Sequence, residues 1–88
     1  MPTTPKAAWD TWVDKNPLRS WRHKNKVTIL RAASSLDVTV TTIQQWERGA
    51  VTPTDENMDR IAAITGDEST ASKWSRWRSR RPKDPITP

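Results

Sequence analysis

Residues 27–49 read VTILRAASSLDVTVTTIQQWERG, and this stretch decides the fold. Thr28 stands in front of an apolar series at Ile29, Ala32, Ala33 and Leu36, which predicts a capped helix over about 29–36. Thr39 opens a second helix over about 40–48, in which Ile43 and Trp46 lie three apart and Gly49 follows as the C′ residue. Only Leu36-Asp37-Val38-Thr39 separates the two. A turn that short makes the helices cross steeply, so that Ala32, Ala33, Leu36, Val38, Ile43 and Trp46 are buried together and the polar face of the second helix is left outward. A small side chain at Ala33 lets the backbones approach at the crossing. The stretch reads as a helix-turn-helix.

Outward from it, helix signals continue in both directions and strand signals are almost absent. Upstream, Asn16 and Pro17 form a cap and first-turn proline for a helix over about 17–25 with Leu18 and Trp21 inward. Thr4 and Pro5 repeat that pairing for a helix over 5–14, with a stripe of Ala8, Trp9, Trp12 and Val13. Downstream, Thr52-Pro53-Thr54 supplies a turn and a cap. Asp55 and Glu56 then occupy the electropositive first turn of a helix over about 55–65, whose inward face is Met58, Ile61, Ala62 and Ile64 and whose end is Gly66. Ser69 or Thr70 is the expected cap of a last helix over about 70–80 bearing Trp74 and Trp77, and Pro82, Pro85 and Pro88 forbid its continuation. The expected fold class is all-α: a compact five- to six-helix domain. Its parts are an extra N-terminal helix over 1–16, the helix-turn-helix domain over 17–66 and a basic, Trp- and Arg-rich extension over 67–88.

A chain of 88 residues holds one small domain and excludes a large enzyme fold. Leu, Ile and Val total 13 and Phe is absent, so the core depends on the six Trp, each able to bury on the order of 150 to 250 Å². Without Cys there is no disulfide, thiolate nucleophile or cysteine zinc site, which fits a reducing cytoplasm. No stretch approaches a membrane span, and the start lacks the regions of a signal peptide, so the expected chain is soluble, uncleaved and cytoplasmic. The net charge of +5 favours a polyanionic partner. Its distribution is uneven: residues 19–26 carry Arg19, Arg22, Lys24 and Lys26, residues 50–68 are acidic, and the last twenty are basic again.

Residues 27–49 resemble the helix-turn-helix of the Cro and phage-repressor (XRE) class, whose typical run is an apolar residue, Ser or Thr, then L-A-x-x-L-G-V-S-x-x-T-I-x-x-W-E-x-G. The likeness extends to Leu18-Arg19-Ser20-Trp21-Arg22 before the motif and to Pro53 through Gly66 after it. It implies a lambda-repressor-like domain and binding to double-stranded DNA, in a bacterial cell at the nucleoid or in a phage-infected host. On that reading Val40, Thr41, Gln44 and Gln45 open a recognition helix in the major groove. Glutamine can pair with adenine, and the methyls of Val40 and Thr41 can pack on a thymine methyl. Phosphate contacts are expected from the N-termini of both motif helices with the hydroxyls of Thr28, Thr39 and Thr42, and from Arg48, Lys24 and Lys26. The resemblance also implies a structural ion pair between Arg22 and Glu47.

Three residues or segments depart from the family's run. Asp37 stands where Gly is usual, Ile29 stands where a Gln that supports DNA contact is common, and Ala50-Val51-Thr52 lacks basic residues. Asp55, Glu56 and Asp59 follow and would be repelled by phosphate unless they face away. Arg76, Arg78, Arg80 and Arg81 are expected as auxiliary DNA contacts along the backbone, or Arg78, Arg80 and Arg81 as a minor-groove arm. Trp9, Trp12, Trp74 and Trp77 either meet across a dimer or cover the core of one subunit. Most relatives bind as homodimers on inverted repeats about one helical turn, ~34 Å, apart; no coiled coil is visible here, so monomer and dimer both stay open.

Catalysis finds no support: His23 is the single histidine, its neighbours are cations, and there is no glycine-rich phosphate loop, nucleophile elbow or metal-ligand cluster. No enzyme activity, cofactor, metal or small-molecule ligand is expected. The reading is a sequence-specific transcriptional regulator, a repressor acting by operator occlusion. The alternatives are a protein-interaction module, such as an antitoxin or phage adaptor, and attachment of the Trp- and Arg-rich tail to a membrane surface.

Overall fold

A computed structural model describes residues 6–82, and these form six helices: α1 (Lys6–Asp14), α2 (Pro17–Lys24), α3 (Ile29–Leu36), α4 (Val40–Glu47), α5 (Asp55–Thr65) and α6 (Thr70–Ser79). The all-α expectation holds, and no described helix is long and apolar enough to cross a membrane. Helix ends differ from the sequence-based ranges by one residue at most, and the Thr4–Pro5 cap lies outside the described residues.

Local chemistry explains most boundaries. Asn16 Oδ1 accepts from the backbone N–H groups of Leu18 and Arg19, both at 3.0 Å, and so starts α2. Thr28, Thr39 and Thr54 do the same for α3, α4 and α5 by accepting from the N–H three residues on. Asp37 ends α3 in the left-handed region at φ 56°, the backbone that the missing family glycine would adopt without strain. Gly49 and Gly66 take the same region after α4 and α5.

The start of α6 corrects the sequence reading, because neither Ser69 nor Thr70 caps it with its side chain. Asp67 takes that place, its carboxylate accepting from the Ser69 N–H and hydroxyl, while the Thr70 hydroxyl donates to the Asp67 carbonyl. Lys73 also donates to Asp67. That bond, then the Ser69 hydroxyl and N–H, lowers the Asp67 carboxyl to about 2.

The core is built on α2, which packs against α1, α5 and α6, while α3 packs against α4 and α5. Leu18, Ala33, Leu36, Ile43, Trp46, Met58 and Ile61 are buried there, and Val38, Trp21 and Ile64 are partly so. Ala33 is 3% exposed, which places it inside the molecule rather than on a helix surface.

Four of the six indoles form a ladder within one chain. Trp9 meets Trp12 edge to face at 5.4 Å, Trp12 stacks on Trp77 at 4.1 Å, and Trp77 meets Trp74 edge to face at 5.9 Å. At its centre the two stacked rings exchange hydrogen bonds: Trp12 Nε1 donates to the Trp77 carbonyl at 2.7 Å, and Trp77 Nε1 to that of Trp12 at 2.6 Å. This clasp joins the first described helix to the last. With Trp74 and Trp77 turned inward, α6 has no exposed aromatic face to lay on a bilayer, which corrects the membrane-tail alternative.

Candidate nucleic-acid interface

The residues of α4 divide by spacing. Val40, Ile43, Trp46 and Glu47 turn inward, Ile43 at 0% and Trp46 at 2% exposure. Thr41, Gln44, Gln45 and Arg48 recur at i, i+3, i+4 and i+7, so they share the opposite face, and all four are exposed. Val40 differs from the other three residues assigned to base reading: it lies three positions before Ile43, is half-buried and packs against the core.

At the start of α4 the Thr39 hydroxyl accepts from the Thr42 N–H at 3.1 Å and lies 2.9 Å from the Thr42 hydroxyl. That pairing consumes one of the two hydroxyl protons and leaves one to donate outward. The N–H groups of Val40 and Thr41 precede the first bonded turn, and the positive end of the helix dipole coincides with them. Thr28 gives α3 the same chemistry: its hydroxyl accepts from Arg31 N–H at 3.1 Å and keeps its own proton. Two helix N-termini with spare donors therefore accompany the polar face of α4.

Lys24, Lys26 and Arg48 are exposed, and Lys26 adopts φ 56° in the turn between α2 and α3. The turn keeps its place through the Arg22 guanidinium, whose Nη1 donates to the Val27 carbonyl at 3.1 Å. Arg31, exposed in the first turns of α3, is a further cation that the family run does not single out. The acids Asp55, Glu56 and Asp59 are also exposed; Glu56 pairs with Arg60 at 3.0 Å, and Asp55 and Glu56 sit at the positive end of α5.

The opposite end of α4 is anchored from outside the motif. Arg22 Nε donates to Glu47 Oε2 at 2.7 Å and Nη2 to Oε1 at 2.8 Å, with both side chains buried. The bonds to Glu47 raise the Arg22 pKa above its ordinary value, against the opposing effect of burial. Arg19 adds a second cation 3.6 Å from Glu47. Asn16, besides capping α2, donates from Nδ2 to the Trp46 carbonyl at 3.4 Å. Arg78 donates to the Gly49 carbonyl, and Gly49 lies against the Trp12 and Trp77 rings.

Sequence reasoning named the Arg22–Glu47 pair but missed Arg19, Asn16, Arg78 and the clasp, which join residues 28 to 65 positions apart or reuse a side chain already assigned as a cap. The four tail arginines are placed differently from one another. Arg78 is engaged with Gly49, Arg81 lies over the Trp9 ring at 5.3 Å, and Arg76 and Arg80 are exposed beside α1 and α2.

A helix-turn-helix family model matches residues 18–72, more than half of the chain, beginning in α2 and ending early in α6. No curated protein and no solved structure matches the chain. The segment that matches holds the two crossed helices and the exposed face of α4, so the chain belongs to the Cro and phage-repressor (XRE) class of helix-turn-helix proteins, a family of DNA-binding transcription regulators.

Proposed function

We propose that this chain reads a specific double-stranded DNA sequence through α4 and represses transcription by occupying an operator that overlaps a promoter, in a bacterial or phage setting in the cytoplasm. The observation that carries the reading is the division of α4, with Thr41, Gln44, Gln45 and Arg48 exposed on one face and Ile43, Trp46 and Glu47 fixed in the core. A polar face on a rigid back is what base reading needs, since a bidentate contact is worth its energy only when the side chain is already aimed.

In this reading Gln44 and Gln45 bond adenine edges, and the Thr41 methyl, with the exposed part of Val40, meets a thymine methyl. Thr28 and whichever of Thr39 and Thr42 keeps its proton out of their mutual bond donate to phosphates beside the free N–H groups of α3 and α4, while Lys24, Lys26 and Arg48 supply flanking charge.

Selection of bound duplexes from a random pool tests the whole reading. A recovered motif is expected, and an inverted repeat within it identifies a homodimer as the binding species. The double variant Gln44→Ala and Gln45→Ala then loses about 1 to 3 kcal/mol per contact on that motif, while salt-dependent binding to unrelated DNA persists. A pool that yields no motif, or a variant weakened equally on all DNA, overturns the base-reading role.

A further inference from the structure

A groove of about 950 Å³ lies between α1, α2 and α6, and no described residue of α3 or α4 lines it. Trp12, Trp21 and Trp77 contribute to its apolar lining, and five exposed cations surround it: Lys24 on α2, Lys73 and Arg76 on α6, and Lys15 and Arg80 just past the ends of α1 and α6. Asp67 is the one acid among the described lining residues, and it is bonded to Lys73. The site is thus concave, apolar within and strongly positive around, and it stands apart from the exposed face of α4, although Lys24, Arg76 and Arg80 of its lining are also among the cations expected near DNA.

We propose that this groove docks an acidic amphipathic helix of another protein, its carboxylates on the surrounding cations and its apolar ridge on the indoles. Charge complementarity selects the sign of the partner, and the concave apolar lining selects its form. A single helix is about 10 to 12 Å across with its side chains, narrow enough to lie between helices, whereas a duplex presents a broader convex surface. A single nucleic-acid strand needs a row of free ring faces on which to stack, but Trp12 and Trp77 are stacked on each other and are each 5% exposed, which leaves Trp21 alone among the lining indoles. A second copy of this chain offers Asp55, Glu56 and Asp59 on α5, yet the apolar Met58 and Ile61 of that helix are committed to its own core. A bilayer is flat and would leave the recess unfilled.

The test uses the full chain, immobilised, to select from displayed random peptides of about 16 residues, long enough for ~4 helical turns. Enriched peptides are expected to combine several Asp or Glu with apolar residues at helical spacing. A synthetic peptide of the enriched consensus is then titrated against variants at exposed residues that line the groove and have no assigned part in DNA binding. Thr11→Glu and Ala7→Glu should each weaken it, the two together by about tenfold or more, whereas Thr11→Lys should keep or tighten it. Duplex affinity of all three variants should stay within about twofold of the parent. Melting curves establish that the variants are folded. Enrichment of peptides without acids, equal binding by the Glu and Lys variants, or a fall in duplex affinity as steep as the fall for the peptide each overturns the proposal, the last by giving the groove to DNA.

Discussion

The two ends of α4 are held by different kinds of interaction. Its N-terminal end is organised almost entirely within six residues: Asp37 turns the chain at φ 56°, Thr39 caps the helix and Thr42 answers with its own N–H and hydroxyl. Its C-terminal end is held by side chains from three other helices and the residue between two of them. Arg19 and Arg22 hold Glu47, Asn16 holds the Trp46 carbonyl, and Trp12, Trp77 and Arg78 enclose Gly49. A local end gains little from any one residue, because a cap contributes on the order of 1 kcal/mol. A tertiary end concentrates stability in a few buried groups, so single changes there should have the larger effects.

Arg22→Ala should have the largest effect on stability. Glu47 is 2% exposed, and without Arg22 its nearest described cation is Arg19 at 3.6 Å, a poorer partner than two bonds of 2.7 and 2.8 Å. Leaving a buried carboxylate so poorly compensated costs about 3 to 5 kcal/mol, with Arg19 favouring the lower end. For a domain of this size that lowers the melting temperature by about ten degrees or more, measured by circular dichroism. A melting temperature unchanged by Arg22→Ala would remove the bridge from the account.

Gly49→Ala comes next. Gly49 has φ 74°, and an added Cβ would come within 2.5 Å of Trp12 Cη2. The ring cannot easily yield, because it is stacked on Trp77 and pinned by the reciprocal indole bonds. Left-handed strain and overpacking together predict a loss of about 2 to 4 kcal/mol. Gly66 is the internal control: it shares the left-handed region at φ 69° but has nothing near its added Cβ, so Gly66→Ala should show the backbone cost alone. Equal losses at the two glycines would mean that the clasp does not press on the end of α4.

The same contrast explains what could be read from the sequence. Helix positions, the crossing at Ala33 and the outward face of α4 were legible because they rest on caps and spacing within a turn or two, which a linear pattern records. The Arg22–Glu47 pair was legible only through the family run, since 25 positions separate two charges that otherwise resemble any surface pair. The clasp was not legible. Trp12 and Trp77 stand 65 positions apart, and no periodicity states that each indole will donate to the other's carbonyl. Both lie outside residues 18–72, so the family's run carries no information about them. Asp67 was overlooked because Ser69 and Thr70 stand directly at the start of the helix, whereas the turn brings the Asp67 carboxylate to the Ser69 N–H and hydroxyl.

Thr39→Ala measures the local end. It removes the acceptor for the Thr42 N–H and separates the two hydroxyls, an expected loss of about 1 kcal/mol, and Thr39→Ser should restore most of it. A loss as large as that of Arg22→Ala would show that the N-terminal end is no less dependent on one residue than the other, and the contrast between the ends would fail.

The smallest effect should carry the opposite sign. Asp37 is exposed and sits at φ 56°, a region where an L-residue bears a steric cost that glycine does not, although Asp tolerates it better than most. Asp37→Gly relieves that strain in the folded chain and adds conformational freedom to the unfolded one, and these contributions oppose each other at about 1 to 2 against 0.4 to 1 kcal/mol. The backbone N–H of residue 37, which donates to the Ser34 carbonyl at 3.2 Å, is retained in the variant, so the end of α3 keeps its bond. The net expectation is a stabilisation on the order of 0.5 kcal/mol, seen as a rise of a few degrees in melting temperature. A fall instead would mean that the Asp37 side chain stabilises this turn by more than its backbone strain costs, and the N-terminal end of α4 would then rest on a residue-specific contact after all.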